Sequence, residues 1–281
     1  PPRSTLFPYT TLFRSARPDR VPLIAELMPT RWSYEALMVK QFTGNEYGRR
    51  VYPLKQQMSI SDFNTIYRIP RMVEALDRSL ESMSRQGRPD TENSELRLLK
   101  NEIGTISASG IVSPFASTDS VTAELFTREL GSRIREWIAG ADREYRRVSH
   151  IADMSLDNYV STNREALDVL YNKYHNDKLE DIVRKVYERN KMLEFRDRLV
   201  QNADLIYLEP VPSGPLSIRT HFMAPVKNFL GFTIDTFTFN TMLVLFSVIL
   251  LYILLYFEVL RRIIRYFENL RFQKRGRTDL K

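Results

Sequence analysis

The sequence predicts an all-α protein, a helical extracytoplasmic domain standing on one C-terminal transmembrane helix. Three observations carry that prediction. Thr236 to Phe257 contains no charged residue over 22 positions; apolar residues between about Pro22 and Asn228 recur at steps of three and four; and alternating, strand-like segments are few.

In chain order, the first helix expected is Arg31 to Phe42, following Thr30 as an N-cap, with Trp32, Tyr34, Ala36, Leu37, Met38, Val39 and Phe42 spread around most of its circumference. A helix apolar nearly all round is buried in protein or touches lipid. Short helices follow at 61–68, where Ser59 and Asp62 form a Ser-x-x-Asp start, at 70–85 behind Pro70, and at 94–106 through Leu96, Leu99, Ile103 and Ile106. Leu125, Phe126, Leu130, Ile134, Trp137, Ile138, Ala141, Tyr145 and Val148 trace one long amphipathic stripe. Thr162 with Glu165 makes a capping-box signature for the next helix, through Leu167, Leu170, Tyr171 and Tyr174. A further helix is expected through Leu179, Ile182, Val183, Val186, Leu193 and Val200. Breaks fall at Gln86 to Asp90, Ser107 to Thr118 and Glu209 to Pro225, all rich in Gly, Ser or Pro.

The spanning helix is expected over Phe237 to Phe257, long enough at about 1.5 Å per residue for a hydrocarbon core of about 30 Å. After it come eight Lys or Arg, including Arg261, Arg262, Arg265, Lys274 and Arg275, against three acids. That excess predicts a cytoplasmic C-terminus and places the residues before the helix outside. From Glu258 onward the helix is expected to continue with Leu260, Ile263, Ile264, Phe267 and Leu270 on one side, lying along lipid headgroups or on a cytoplasmic partner.

The formal net charge is +7, but the first twenty residues hold +3 of it and the tail +5, leaving the middle near neutral. This distribution favours anionic lipid as the partner of the basic residues and gives no folded basic face for nucleic acid. The 281 residues hold no cysteine, which excludes thiol nucleophiles and Cys-ligated metal. His150, His175 and His221 are isolated from one another and read as surface or packing residues. Gly44 and Gly48 are followed by neither Lys-Ser nor Lys-Thr, so no phosphate-binding loop occurs, and no Gly-x-Ser-x-Gly elbow presents a serine. No catalytic, cofactor-binding or metal-ligating set is therefore assigned.

One motif stands apart. Ile24-Ala25-Glu26-Leu27-Met28-Pro29-Thr30-Arg31-Trp32-Ser33-Tyr34-Glu35-Ala36-Leu37, followed by Gln41-Phe42 and Asn45-Glu46-Tyr47, resembles the segment after the fifth membrane helix of G-type (white-brown-like) ABC transporter permeases. Phe229 to Phe257, with Asp235-Thr236-Phe237, Phe239-Asn240 and the Tyr252, Tyr256 and Glu258 exit, is similar to the final membrane helix of bacterial members. The resemblance covers roughly residues 21–80 and 225–275. The loop between its two parts, about 190 residues, is far longer than in familiar eukaryotic members.

What the resemblance implies is specific. Arg31, Trp32, Tyr34, Glu35 and Phe42 would hold a re-entrant helix at the outer leaflet; ATP and Mg would be bound by a domain upstream of this chain; and the partners would be the bilayer, the other membrane helices of the parent chain and a second copy in a homodimer, in a bacterial inner membrane. The expected divisions are 16–48 for the end of a preceding membrane region, 49–228 for the outer helical domain, 229–257 for the last span and 258–281 for the basic tail. Ser4 to Ser15 (STLFPYTTLFRS), with Thr-Leu-Phe repeated, resembles translated sequencing-adapter read-through, so residues 1–15 are expected to lie outside the fold. The alternative class is a helical scaffold or receptor held by a single anchor, and an enzymatic outer domain ranks below both.

Overall fold

A computed structural model describes residues 21, 23–86, 94–210, 220–259, 261–262 and 265. The adapter-like string, Lys274, Arg275 and most of the basic tail lie outside the described residues, as do parts of the breaks after Gln86 and Glu209. Of the described residues 71% are helical and 6% are in strands, so the expected all-α class needs correction: the chain is mostly helical with two small antiparallel hairpins.

A short turn of helix, α1 (Leu23–Glu26), leads into α2 (Pro29–Thr43). Proline at the first position starts α2, and the preceding Met28, not Thr30, is its cap residue, without a side-chain bond. Asn45 then caps α3 (Glu46–Phe63) by accepting from the Gly48 amide at 2.6 Å. The expected start at Ser59 is absent because α3 has already begun and runs through it.

From Glu46 to Gln86 the chain is one continuous helical rod, α3 passing through a π-helical turn (Asn64–Arg68) into α4 (Ile69–Gln86). Pro70 accounts for the wide turn. It has no amide to donate, and its ring excludes the carbonyl four residues back, so the ladder slips and the Ile69 amide bonds to the Asn64 carbonyl.

Helix α5 (Ser94–Ala108) packs back on α4, and α6 (Arg128–Thr162), 35 residues long and capped by Thr127 accepting from Leu130, closes the first core. Met72 and Leu76 meet Leu99, Ile103 and Ile106 from α5 and Ile134, Ile138, Ala141 and Tyr145 from α6, all at or near zero exposure. The predicted stripe is correct from Leu130 to Tyr145. Leu125, however, is 59% exposed and lies with Phe126 ahead of the helix.

Two expectations fail beyond α6. Thr162 ends α6 instead of capping the next helix, and α7 (Arg164–Tyr174) follows Asn163 with no side-chain cap. After α8 (Asp177–Arg184), capped by Asn176, Lys185 adopts the left-handed conformation (φ 53°) and the helix stops. Leu193 and Val200, expected on that helix, face each other across a hairpin of β1 (Met192–Glu194) and β2 (Leu199–Gln201), turned by Arg196 and Asp197 at φ 51° and 56°. Tertiary contact explains this: Leu199 buries against Ala75 and Leu98 and donates its amide to Glu102 Oε1 at 2.8 Å.

A second hairpin, β3 (Val226–Phe229) and β4 (Phe232–Asp235), takes the opening residues of the 229–257 division and ends just ahead of the helix expected from Phe237. The long apolar helix α9 therefore begins at Thr236 and ends at Tyr256, 21 residues that are long and apolar enough to cross a membrane. Asp235 caps it, accepting from the Thr238 amide at 3.3 Å. Thr236, Phe239 and Asn240 are buried, Leu243, Val244 and Ser247 half-buried on the same face, and from Val248 to Phe257 every side chain is exposed. The expected continuation past Phe257 is interrupted, since Glu258 sits at φ 50° before helical backbone resumes at residue 259.

Candidate functional site

The head of α9 is where chain segments nearly 200 residues apart converge on buried charge. Helix α2 runs antiparallel along it: Trp32 meets Phe239 at 6.3 Å and Asn240 through its carbonyl, whereas Lys40, two turns on, lies over the Phe237 ring. The α2 face turned inward carries Arg31, Trp32, Glu35, Ala36 and Val39, spaced for one side of a helix.

Glu35, with no exposed surface, is the centre. Its Oε1 accepts from the Met223 amide at 3.0 Å and from Lys227 Nζ at 2.9 Å, and its Oε2 accepts from Asn240 Nδ2 at 3.0 Å, with the Arg31 guanidinium 3.4 Å away. Lys227, equally buried, also donates to Thr220 Oγ1 at 2.6 Å and lies over the Trp32 ring. Arg31 stacks 4.0 Å over its neighbour Trp32 and bonds Glu26 Oε2 at 3.0 Å, and the Trp32 indole donates to the Glu26 carbonyl. Two acids and two bases thus balance one another inside protein.

Burial alone would raise the Glu35 carboxyl, but Lys227 and Arg31, with the bonds from Lys227 and Asn240, outweigh it and hold the group below the ordinary carboxylate value. Burial also pulls the Lys227 ammonium below its usual value, with Glu35 opposing. His221 Nε2 lies 2.9 Å from the Leu205 carbonyl oxygen, and because a carbonyl only accepts, this nitrogen carries the proton and donates it. Burial, then Lys227, push its pKa down to about 4, so it is neutral at pH 7.

Of the five motif residues, the structure brings Arg31, Trp32 and Glu35 into this network. Tyr34 is 45% exposed and stacks on Phe222 at 6.2 Å, outside the network, and Phe42 packs on Tyr207 in a neighbouring apolar cluster with Val39, Leu179 and Ile206. Arg261 pairs with Glu258 at 3.1 Å, and Arg262 and Arg265 are exposed beyond the break.

Sequence reasoning gave no role to Lys227 or Thr220 and named Asn240 only within the resemblance, while His221, read as a surface or packing residue, is buried against the Leu205 carbonyl. Asn240 carried the most signal, as the lone carboxamide in an uncharged 22-residue run; nothing local marks Lys227. Among the described residues no group of three or more His, Asp or Glu is placed to hold a metal ion. The arrangement is suited to fastening two helices and a hairpin together. Comparison with protein families, characterised proteins and solved structures finds no match to this chain.

Proposed function

We propose that this chain is the C-terminal membrane part of a bacterial G-type ABC transporter permease, in which ATP hydrolysed by an upstream domain drives substrate across the inner membrane. The observation that supports this reading best is the junction of α2 with α9. A helix bearing the Arg-Trp-x-Tyr-Glu-Ala-Leu motif folds back along the outer end of an apolar helix of spanning length, with its charges buried against protein instead of lipid. Charge at membrane depth is tolerated where it pairs inside protein.

In this reading α9 is the last span, Arg261, Arg262 and Arg265 mark the cytoplasmic side, and residues 49–228 form an enlarged outer domain. The sequence of the full-length gene is the direct test. A Walker loop and five further spans upstream are expected, and their absence would refute the proposal. A second reading, a receptor or scaffold on one anchor, draws support from the α4–α5–α6 core, which is complete without any residue of α9. Nucleotide-independent partner capture by a chain encoded without an ATPase would favour it.

A further inference from the structure

The hairpin ahead of α9 is turned by Leu230 and Gly231, at φ 51° and 83°. Such a two-residue turn requires left-handed backbone at both positions, where Asn, Asp or Gly is the ordinary choice and a branched apolar residue is strained. Leu230 is nevertheless there, 56% exposed, and the next side chain, Phe232, is 73% exposed. A strained apolar residue held out into its surroundings points to something those surroundings supply.

The direction of the hairpin identifies what. Phe229 and Phe232 face each other at its tip, and Phe229 packs on Phe239 at 6.0 Å, three residues into α9. The hairpin therefore folds back beside the helix, and its tip lies roughly 5 Å along the axis from the first helical residue. The helix has only 21 residues, about 31 Å, to cover a hydrocarbon core of about 30 Å, so its first turn cannot stand clear of the bilayer. On the neighbouring α1–α2 side, Leu27, Tyr34 and Leu37 are also exposed, at 84%, 45% and 63%.

We infer that Leu230 and Phe232 form a wedge inserted into the outer leaflet of the bilayer, at the depth where headgroups meet acyl chains, and that the Glu35–Lys227 pair fixes the wedge to α2 and α9. This rests on α9 spanning the membrane, and the test separates the two. Because the chain has no native cysteine, a single introduced one labels one site. The whole chain, reconstituted in phosphatidylcholine vesicles, carries an environment-sensitive nitrobenzoxadiazole label at Phe232→Cys, Leu250→Cys or Glu136→Cys, and lipids spin-labelled near the headgroup or near the chain end serve as quenchers.

At 232 the expected result is blue-shifted emission quenched most by the shallow lipid. At 250 quenching is strongest with the deep lipid, and at 136, on exposed α6, there is none. Water-like emission at 232 with deep quenching at 250 overturns the wedge while keeping the span. Blue-shifted emission at 232 that neither lipid quenches assigns the tip to a protein partner or a second copy, and also overturns it. Absence of quenching at 250 removes the span itself. Leu230→Asn, which suits the turn and preserves the hairpin, is expected to reduce shallow quenching at 232; unchanged quenching would overturn the role given to Leu230.

Discussion

Among the described residues two carboxylates, Glu35 and Glu102, are almost wholly buried, and they are held in opposite ways. Glu35, at the head of α9, has two cations, an amide and a backbone N–H around it, and its pKa is lowered. Glu102, on α5 against the π-helical turn, has Arg68 Nε at 3.0 Å and the Leu199 amide at 2.8 Å; burial raises its pKa, and these two with the charge of Arg198 do not overcome it. Arg68 is also shared, donating to Asn64 Oδ1 at 2.7 Å. The difference teaches that nearby charge with one backbone N–H does not offset desolvation of a buried carboxylate, whereas charge joined by side-chain hydrogen bonds from a cation and an amide does. The surroundings at α9 favour the charged form of the carboxylate, whereas those beside the π turn favour the neutral form.

The largest effect expected from this comparison follows removal of the cation. Lys227→Met leaves Glu35 buried with Arg31 farther off, and should destabilise the chain by about 3–5 kcal/mol, as loss of one partner of a buried pair does. Adding Glu35→Gln should restore a large part, so a double-mutant cycle from urea unfolding in detergent micelles should give a coupling well above zero; additive losses would show that the pair is not a unit.

The pH dependence divides the two carboxylates by sign. Glu35 has a depressed pKa, so its contribution is present above 4.5 and disappears as pH falls through the folded value; the penalty of Glu35→Gln should shrink on acidification. Glu102 has a raised pKa, so its contribution is present below 4.5 and disappears as pH rises through the folded value; the penalty of Glu102→Gln should shrink toward neutrality. His221 adds a slope of its own. With its pKa lowered from 6.5 to about 4, wild type should lose up to roughly 3 kcal/mol as pH falls from 6.5 through 4, and His221→Asn should flatten that decline. Parallel pH profiles for the two glutamine variants would break the comparison.

How far the sequence could be read follows the same division. Helices α4 and α5 lie within two residues of their expected bounds because their apolar residues repeat at helical spacing beside Pro70 and the Gly-rich breaks, and α9 does so because its uncharged run is bounded by Asp235 and Glu258. The two hairpins were illegible: strands of three or four residues carry almost no periodicity, and β2 is held by a bond to Glu102, 97 residues away. In the site, Arg31, Trp32 and Glu35 were legible as a motif on one helix. Lys227 pairs with Glu35 across 192 residues of chain, and a single lysine between Val226 and Asn228 says nothing of that distance.

A smaller perturbation tests whether the two regions are mechanically joined. The turn between α2 and the α3–α4 rod brings Gly48 against the Phe42 carbonyl oxygen, so that an added Cβ would overlap backbone there. Gly48→Ala should therefore cost about 1–3 kcal/mol. If α2 transmits the displacement, the variant should also weaken the Glu35–Lys227 coupling measured by the double-mutant cycle, leaving the pH response of Glu102→Gln unchanged.

The mildest test addresses the carboxamide on α9. Asn240 Nδ2 serves both Glu35 Oε2 and the Trp32 carbonyl, while its Oδ1 is buried without a hydrogen-bond partner. Asn240→Leu removes two donated bonds, but also removes that unpartnered acceptor and adds apolar surface against Trp32. A donor to a charged group contributes about 1.5–3 kcal/mol and an unsatisfied buried acceptor takes back about 1–3, so the net loss should be no more than about 1 kcal/mol in thermal unfolding. The pH midpoint at which Glu35→Gln loses its penalty should move further than the stability does, because Asn240 is one of the groups holding Glu35 ionised. A large stability loss without any movement of that midpoint would show that Asn240 serves packing between α2 and α9 and has no part in keeping the carboxylate charged.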